Sequence, residues 1–398
     1  NYDNLSQIDT KYISYPFSVI CMNIRSLRKH FQTFLTTINN IIEKIQLIVL
    51  IETNITDEEN CFYNIHGFNS TFLNRGEGKG GGIVVYTKQN INFKHIKIST
   101  VYFELIQLEL EINKQPLSLL AIYRQPKLNK NLFIIELEKV IKQIRIKQNI
   151  VIVGDINIDI LSENNIVTNY TDMCSSNGLQ IAINEPTRID VKNNTQTCID
   201  HCLVKNTQTQ TIFHTAVIKT TISDHFSIFC CIEHVVSNKI NKQPSPNGFS
   251  YETHISSFKV NKMINETNWN NLISHNNNNN INDFYSNINK KFNEIYEKSK
   301  ILKKSIKKRS TNPWISDDLV KCCEHRDKLF KKWKNNKRNQ NYETEFKQYR
   351  NKLNKKIVYA KNNYYRQKFI ENRNNPRVTW QLINEIKGKS VKNIDEII

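Results

Sequence analysis

Short apolar segments that stop at a polar side chain recur along residues 17–234, and they restrict the fold more than any other feature of the sequence. Leu47–Ile51 is followed by Glu52, and Ile150–Val153 is followed, after one glycine, by Asp155. Apolar runs of this length between turn signals are typical of strands buried on both faces, because both sides of such a strand meet apolar neighbours. The sequence therefore predicts a layered protein built on buried sheets.

Helical patterns alternate with these strands. Apolar residues recur at helical spacing over residues 31–45 and 130–147. The first strand is predicted at 17–22, and further strands at 83–86, 102–112, 116–123, 198–204, 212–217 and 226–233. Many strands with helices between them indicate an α/β layered domain of about 220 residues.

The chain changes character after residue 234. Residues 235–255 contain Pro244, Pro246 and Gly248 and are predicted to form a linker. Lys-rich helical patterns follow at 281–300, 316–334, 341–372 and 376–388. The sequence thus divides into an N-terminal tail (1–16), an α/β domain (17–234), a linker (235–255) and a basic, mostly α-helical segment (256–398).

The net charge of the chain lies entirely in its last part. Residues 1–238 contain 22 Lys and Arg and 22 Asp and Glu, whereas residues 239–398 contain 34 and 15, a net charge of +19. Such a basic block favours polyanions through counterion release, and nucleic acid is the commonest polyanion in cells. The alternative is a solvated, Lys-rich helical face that binds nothing or only tethers a further domain.

The sequence excludes membrane-spanning proteins and zinc-binding proteins that use paired cysteines. The longest apolar runs, such as Phe226–Ile232, are far shorter than the ~20 residues that span a bilayer, so no membrane partner is expected. The nine cysteines include no C-x-x-C pair, and Cys198 and Cys202 around His201 lack a second ligand pair for zinc. We expect reduced thiols in an intracellular protein. Since the sequence starts at Asn1 without a signal-like segment, we also expect a fragment of a longer protein.

Polar side chains at the ends of the predicted strands form a candidate site. Ligands of α/β proteins collect where strands end, so carboxylates, amides and imidazoles there are expected to converge. Any one of them alone is more simply explained as a solvated turn residue. The candidates are Asn23, Glu52, Tyr123, Asp155, Asn157, Asp200, Asp224 and His225.

Eight short motifs in this region occur together in one known family. They are Met22–Leu27, Glu52-Thr53, Gly80–Tyr86, Ile122–Arg124, Val153–Leu161, Glu185–Ile189, Thr197–His201 and Ile222–His225. In order and spacing the sequence resembles the endonuclease/exonuclease/phosphatase superfamily, and within it the endonuclease domain of non-LTR (LINE-type) retrotransposon proteins. The resemblance implies a DNase I-like fold of four layers, a two-sheet β-sandwich flanked by helices, followed by the basic helical segment.

The resemblance also implies a metal site. It assigns Mg²⁺, with Mn²⁺ as a substitute, to Glu52 with help from Asn23 and Asp224. Mg²⁺ keeps several waters and needs only one or two carboxylates, so this donor set suffices.

Catalytic roles are implied for five further residues. Asp155 would orient or deprotonate the attacking water, and Asn157 would hold that water or a phosphate oxygen. His225 would donate to the phosphate if Asp200 fixes its tautomer and supports its positive charge. Tyr123 would hydrogen-bond the phosphate.

Four arginines are candidates for contact with DNA: Arg25, Arg75, Arg124 and Arg188. Many members of the superfamily have Asp or Asn where Arg25 stands, and an arginine cannot bind a metal. Arg25 is therefore expected to pair with a substrate phosphate or with a carboxylate of the site. The glycine-rich segment 76–82 lacks the Lys-Ser/Thr ending of a P-loop and is interpreted as a turn.

The sequence as a whole predicts a DNA endonuclease that nicks target DNA and leaves a 3′-hydroxyl for priming reverse transcription. Its partners would be target DNA, element RNA through the basic segment, and a reverse transcriptase domain that this sequence lacks. The site of action would be the nucleus. Two alternatives stay open: a decayed remnant that only binds nucleic acid, and an AP endonuclease or phosphatase on the same core.

Overall fold

The computed structural model describes most of the chain. The described residues are 15, 17–75, 80–112, 115–145, 148–190, 193, 195–207, 211–234, 251–255, 257–267, 269, 281–304, 312–336 and 339–386. The predicted tail, apart from Tyr15, lies outside these residues, as do residues 76–79 of the glycine-rich segment and residues 235–250 of the predicted linker.

A first sheet has six strands. They are β1 (Phe17–Asn23), β2 (Leu47–Ile51), β3 (Phe68–Leu73), β4 (Ile83–Lys88), β13 (Thr211–Ile218) and β14 (Ser227–His234). Their order in the sheet is β13-β14-β1-β2-β4-β3. Strands β1 and β2 are parallel, and the other neighbours are antiparallel.

A second sheet also has six strands. They are β5 (Phe93–Ile96), β6 (Glu104–Ile112), β7 (Gln115–Tyr123), β8 (Asn149–Asp155), β9 (Gln180–Ile181) and β12 (Asp200–Lys205). Their order is β5-β6-β7-β8-β12-β9, with β7 and β8 parallel. A short hairpin, β10 (Arg188–Asp190) with β11 (Thr195–Thr197), lies between β9 and β12 in sequence.

The two sheets pack face to face because their strands are apolar on both sides. In β1, Val19 and Cys21 belong to the core between the sheets, whereas Ile20 and Met22 belong to the core on the outer face. Successive side chains of a strand point to opposite faces, so a strand between two layers must be apolar throughout. This explains the continuous apolar runs in the sequence.

Helices cover both outer faces. Helix α1 (Leu27–Ile38) packs on the first sheet, and α2 (Lys130–Gln143) and α3 (Asn165–Ser176) pack on the second. The side chain of Asn129 accepts hydrogen bonds from the first turn of α2, which sets where that helix begins. The arrangement confirms the predicted α/β fold, a two-sheet sandwich between helical layers.

Some predicted boundaries were wrong. The helix predicted over 31–45 begins at Leu27 and ends at Ile38, where Asn39 and Asn40 follow. Asparagine side chains compete for backbone hydrogen bonds and favour helix ends. Helix α3 and strands β3 and β5 were not predicted, because their apolar patterns are weak.

The described residues after 234 are mostly helical, as predicted. They contain β15 (Tyr251–Ile255), α4 (Ser257–Glu266), α5 (Ile281–Lys298), β16 (Lys300–Lys304), α6 (Asp317–Asn335), α7 (Gln340–Glu371) and α8 (Pro376–Ile386). Strand β15 lies within the predicted linker and pairs with β16, which the helical pattern did not predict. No helix among the described residues is long and apolar enough to cross a membrane.

The contacts divide the chain into two compact units, residues 238–309 and the remainder, so 310–398 belong with the sandwich. Within that larger unit, α6 and α7 pack against α1. Trp314, Leu319, Leu353 and Ile357 join the same buried core as Phe34 of α1. The C-terminal helices therefore add a further layer outside α1.

Candidate active site

Strand ends bring together polar side chains from both sheets. Asn23 ends β1, and Glu52 follows β2 directly. In the second sheet, Tyr123 lies opposite Asp155 at the ends of the parallel strands β7 and β8, and Asp200, the first residue of β12, lies opposite Asp155 on its other side. The register of the sheets thus places residues that are far apart in sequence at one edge of the sandwich.

Asn23 joins the two sheets at this edge. Its Nδ2 atom donates to Oε1 of Glu52 at 2.9 Å and to Oδ2 of Asp155 at 2.8 Å. Its Oδ1 atom accepts from the backbone N–H of Arg25 at 3.0 Å. Because one amide group donates to both carboxylates, Glu52 and Asp155 face the same space.

The carboxyl group of Asp155 has a pKa well above its usual range. Burial raises the pKa of its carboxyl group, the charges of Asp200 and Glu52 raise it further, and His225 and the hydrogen bond from Asn23 only partly offset this, so that the pKa is about 7. Carboxylates in a buried space repel one another and hold protons unless a cation neutralises them. The site therefore has an excess of negative charge that a cation would relieve.

His225 is held by Asp200. Its Nδ1 atom lies 2.8 Å from Oδ2 and 3.1 Å from Oδ1 of Asp200, and both residues are at most 2% exposed. Burial alone would lower the pKa of His225, but the charge and hydrogen bond of Asp200, with the charges of Asp155 and Asp224, raise it to about 9. Near neutral pH the imidazole is protonated. Its Nε2 atom has no hydrogen-bond partner among the described residues, so one N–H is available to a ligand.

Two further groups fix the position of His225 and Asp200. The Ser223 hydroxyl donates to the backbone carbonyl of Asn23 at 2.7 Å, which ties the loop before β14 to the end of β1. The Thr187 Oγ1 atom accepts from the backbone N–H of Asp200 at 3.0 Å. These contacts place the imidazole beside the carboxylates without occupying its free nitrogen.

Arg25 pairs with a carboxylate of the site. Its Nε and Nη2 atoms donate to the two oxygens of Asp224 at 2.9 and 2.8 Å, and its Nη1 atom is 3.6 Å from Oε2 of Glu52. Arg188 Nε donates to the same Asp224 at 2.8 Å. Although burial alone would raise the pKa of Asp224, hydrogen bonds from Arg25 and Arg188 and the charge of His225 hold it well below its usual range.

The pairing of Asp224 with Arg25 and Arg188 affects the prediction that Asp224 is a metal ligand. Both carboxylate oxygens of Asp224 are engaged by guanidinium groups, so Asp224 would have to leave Arg25 before it could bind a metal. Its assignment as a metal ligand stays a prediction. The geometry agrees with the expectation that Arg25 pairs with a site carboxylate.

Tyr123 and Asn157 lie at the same edge. Tyr123 is buried, and burial together with the charges of Glu52 and Asp155 raises the pKa of its hydroxyl. The backbone N–H of Asn157 donates to Oδ1 of Asp155 at 3.1 Å, and its Nδ2 atom donates to the carbonyl of Arg124 at 2.8 Å. No donor among the described residues reaches Asn157 Oδ1, which leaves an acceptor free.

The predicted contact of Arg124 with DNA is wrong. Arg124 is fully buried and donates to the backbone carbonyls of Gln125, Leu128, Ile156 and Asn157. A guanidinium group engaged in this way cannot reach a phosphate, and it instead holds the loop after β8 in place.

Arg75, unlike Arg124, is partly exposed. It pairs with Glu104 and donates to the carbonyl of Gly80 at 3.0 Å. A quarter of its side chain is exposed, so its contact with DNA stays a prediction.

The backbone at the site adopts unfavourable conformations. Four non-glycine residues among the described ones have positive φ, and all lie here: Arg25 (65°), Glu52 (56°), Asn54 (53°) and Asn157 (53°). Such conformations persist only where the surrounding structure over-determines them, and they concentrate at functional sites. Asn54, which donates to the carbonyl of Arg25 at 2.5 Å, was missed in the sequence. Its preference for left-handed backbone was the available signal.

The residues present fit a metal ion. Among the described residues, one group of carboxylate, His and Cys side chains is compact enough to hold a metal: Asp155, Asp200 and His225, with ligand atoms within 4.8 Å of one another. Glu52 adds further carboxylate oxygen atoms beside Asp155, whereas Asn23 turns its Nδ2 atom toward both carboxylates and its Oδ1 atom toward the backbone N–H of Arg25. Oxygen donors with excess negative charge suit a hard divalent cation. His225 is a poor ligand, because Asp200 holds it protonated.

Comparison with family models and with curated proteins finds no match. Among solved structures, the chain is similar to the endonuclease domain of TRAS1, a telomere-specific non-LTR retrotransposon, with 15% identity over 55% of this chain and 98% of that one and a TM-score of 0.45. It is also similar to a D. rerio TDP2 humanised by 14 mutations (14% identity, 55% and 98% covered, TM-score 0.44). A third similar structure is the AP endonuclease LMAP from Leishmania major (10% identity, 55% and 88% covered, TM-score 0.44).

Proposed function

We propose that the chain is a Mg²⁺-dependent DNA endonuclease of the non-LTR retrotransposon type, which nicks target DNA and leaves a 3′-hydroxyl for priming reverse transcription. One observation carries the proposal: Asp155 and Glu52 share the amide of Asn23, beside an imidazolium that Asp200 holds. Phosphodiester hydrolysis needs an acceptor for the proton of the attacking water and positive groups for the charge on the phosphate, and this site supplies both.

Asp155 is the proton acceptor in this proposal. Its pKa of about 7 lets it take a proton from water at neutral pH, because a base works best when its pKa is near the working pH. The free Oδ1 atom of Asn157, whose backbone N–H is bonded to Asp155, helps to orient the same water.

His225 stabilises charge on the phosphate. Its free Nε2–H group donates to a non-bridging oxygen, and the positive charge sustained by Asp200 strengthens this hydrogen bond. Tyr123, whose hydroxyl stays protonated because its pKa is raised, donates a second hydrogen bond to the phosphate.

Glu52 would hold the metal, and Asp155 faces the same space. Asn23 would add its amide oxygen only after its side chain turned, because its Nδ2 atom faces both carboxylates and its Oδ1 atom accepts from Arg25. A bound Mg²⁺ would supply Lewis-acid stabilisation of the negative charge on the phosphate oxygens. Asp224 supports this set indirectly, because it positions Arg25 next to Glu52.

The proposed nucleic-acid partners and partner domain are inferred from the family resemblance and from the distribution of charge. The basic residues 239–398 would bind target DNA or element RNA, and a reverse transcriptase domain, which the resemblance implies as a partner, would extend the 3′-hydroxyl in the nucleus. The salt dependence of binding tests the basic segment, because each neutralised phosphate adds about 0.9 to the slope of log affinity against log salt on duplex DNA.

The test is nicking of supercoiled plasmid with Mg²⁺ and with EDTA. Asp155→Asn and His225→Gln should each lower the nicking rate by about 100-fold or more, because each removes transition-state stabilisation. Asp172→Asn and His66→Gln make the same chemical changes on exposed residues and should nick at the wild-type rate.

The outcomes separate the alternatives. Nicks that a DNA polymerase can extend directly indicate 3′-hydroxyl ends, as proposed. Cleavage confined to abasic duplex would favour an AP endonuclease, and release of phosphate from monoesters would favour a phosphatase. If the wild-type protein binds plasmid but nothing is hydrolysed with Mg²⁺ or Mn²⁺, the chain is a decayed nucleic-acid-binding remnant.

A further inference from the structure

A cavity of about 580 Å³ lies next to the candidate active site, within the larger compact unit. On one side it is lined by Arg25, Arg188 and Asp224, the ion-pair group beside Glu52. On the other side it is lined by residues of α6 and α7, among them Trp333 and Arg350. Helices α6 and α7, which follow the sandwich in sequence, thus form the wall of this cavity that lies opposite the candidate active site.

The helical wall is aromatic. Phe330, Trp333 and Phe346 line the cavity and pack against one another, with ring centroids 5.3 to 5.9 Å apart. Phe330 is only partly buried, so part of its ring faces the open space. Flat π-faces beside an open cavity are surfaces on which nucleobases stack, and stacking of this kind tolerates any base.

The cavity is also positively charged. Four basic side chains line it, Arg25, Lys29, Arg188 and Arg350, against the acidic Asp190 and Asp224. Asp224 is already paired with two of the arginines.

Arg350 and Lys29 are the two basic side chains of the cavity lining that are not paired with Asp224. Arg350 lies over the Phe346 ring at 5.6 Å, and no carboxylate among the described residues is within ion-pair distance of it or of Lys29. Burial, together with the charges of Lys29, Arg350 and Arg326, lowers the pKa of the neighbouring His30 to about 4. This is the electrostatic environment that a phosphate favours.

We propose that this cavity is a nucleotide subsite of the DNA-binding surface, in which one unpaired base of the substrate strand stacks on the partly exposed ring of Phe330, which Trp333 and Phe346 support from behind, while its phosphate is bound by Arg350 and Lys29. The proposal rests on the proposed function for the identity of the substrate as DNA. A volume of about 580 Å³ falls within the range of small-molecule sites, about 300–1,000 Å³, and admits one nucleotide but not a base pair with its backbone. The subsite therefore favours DNA with an unpaired nucleotide near the cut.

The test compares two labelled duplexes that are identical except that one carries a single unpaired nucleotide. Fluorescence anisotropy with the full chain in EDTA measures both affinities without hydrolysis. The wild-type protein should bind the duplex with the unpaired nucleotide about tenfold more tightly, since stacking on aromatic side chains has effects of this order.

Two variants and one matched control test whether the preference for the unpaired nucleotide arises in this cavity. Phe330→Leu keeps an apolar side chain but removes the π-face, and Arg350→Gln removes the charge, so each should reduce the preference to about twofold or less. Lys355→Gln removes the same charge from an exposed position of α7 that does not line the cavity, and should keep the preference.

Each result decides the proposal. Equal affinity of the wild-type protein for the two duplexes would overturn it, as would a preference that survives Arg350→Gln in a folded protein. If Phe330→Leu loses its circular dichroism signal, Arg350→Gln alone decides, because Arg350 forms no ion pair that holds the fold. Failure of the proposed function is a separate result: no Mg²⁺-dependent nicking by the wild-type protein, whichever duplex it prefers in EDTA.

Discussion

Asp200→Asn tests whether the protonated imidazole of His225 acts in the reaction. In the wild-type protein the pKa of His225 is about 9, although burial acts to lower it, and Asp200 is the main group that raises it. Without the charge of Asp200, the pKa should fall to about 6.5 or below, the value of an unperturbed histidine. The substitution keeps the shape of the side chain, so the change is mainly electrostatic.

The expected loss depends on pH. At about pH 8, His225 is roughly 90% protonated with a pKa of about 9 but only about 3% protonated with a pKa of about 6.5, so the nicking rate should fall about 30-fold. At about pH 6 the imidazole of His225 is largely protonated in both proteins, so the variant should be no more than about twofold slower there. The acidic limb should also move to lower pH, because Asp200 helps to raise the pKa of Asp155.

Initial rates of plasmid nicking with Mg²⁺, measured from about pH 6 to 9, give this profile. An NMR titration of the His225 ring without metal, assigned with His225→Gln, measures the pKa independently of activity. Asp172→Asn is the control, since it makes the same change on the exposed face of α3. A rate ratio that stays constant across this range, or an unchanged pKa of His225, would refute the reasoning.

Three further predictions follow from the structure. Gly154→Ala should destabilise the protein by about 3 kcal/mol or more in denaturant unfolding, because the added Cβ would lie 1.9 Å from the Ile122 carbonyl oxygen; Gly67→Ala, with nothing within 4 Å but a φ of 81°, should cost only the backbone strain, about 1–2 kcal/mol. Mg²⁺ should raise the melting temperature more at about pH 8 than at pH 6, because protons compete with the cation for Asp155, whose pKa is raised; equal shifts, or a shift kept in Asp155→Asn, would contradict a metal at this position. Leu353→Ala should cost about 2–5 kcal/mol and lower the temperature of a single unfolding transition, because Leu353 lies in the core shared with α1; an early, separate transition of the C-terminal helices would show that they do not stabilise the sandwich.

The sequence by itself indicated the layered fold and the polar residues that lie at its strand ends. Apolar runs such as Leu47–Ile51 can be buried on both faces only between two layers, and the polar residue after each run must then lie at the edge of the sheet. The family resemblance supplied the proposed roles, and the strand ends together with the motifs named Asn23, Glu52, Asp155 and His225 as candidates for one site.

Local sequence patterns could not identify which distant residues contact one another. A periodicity shows that a residue is buried or exposed, but not which distant residue it meets. Arg124 follows a strand like other site residues, yet its guanidinium turns inward to four backbone carbonyls. The pairing of Asp224 with Arg25 and Arg188 likewise depends on three loops that are far apart in sequence.

Only the tertiary structure decided where the basic helices lie. Their Lys-rich sequence indicates solvent exposure and a net charge, and both are local properties. The few apolar positions, such as Trp314, Leu353 and Ile357, are too sparse to show that they pack on α1. Burial of a sparse apolar stripe depends on a complementary surface elsewhere in the chain. Packing on the folded sandwich therefore places helices of the basic segment along one wall of a cavity beside the candidate active site.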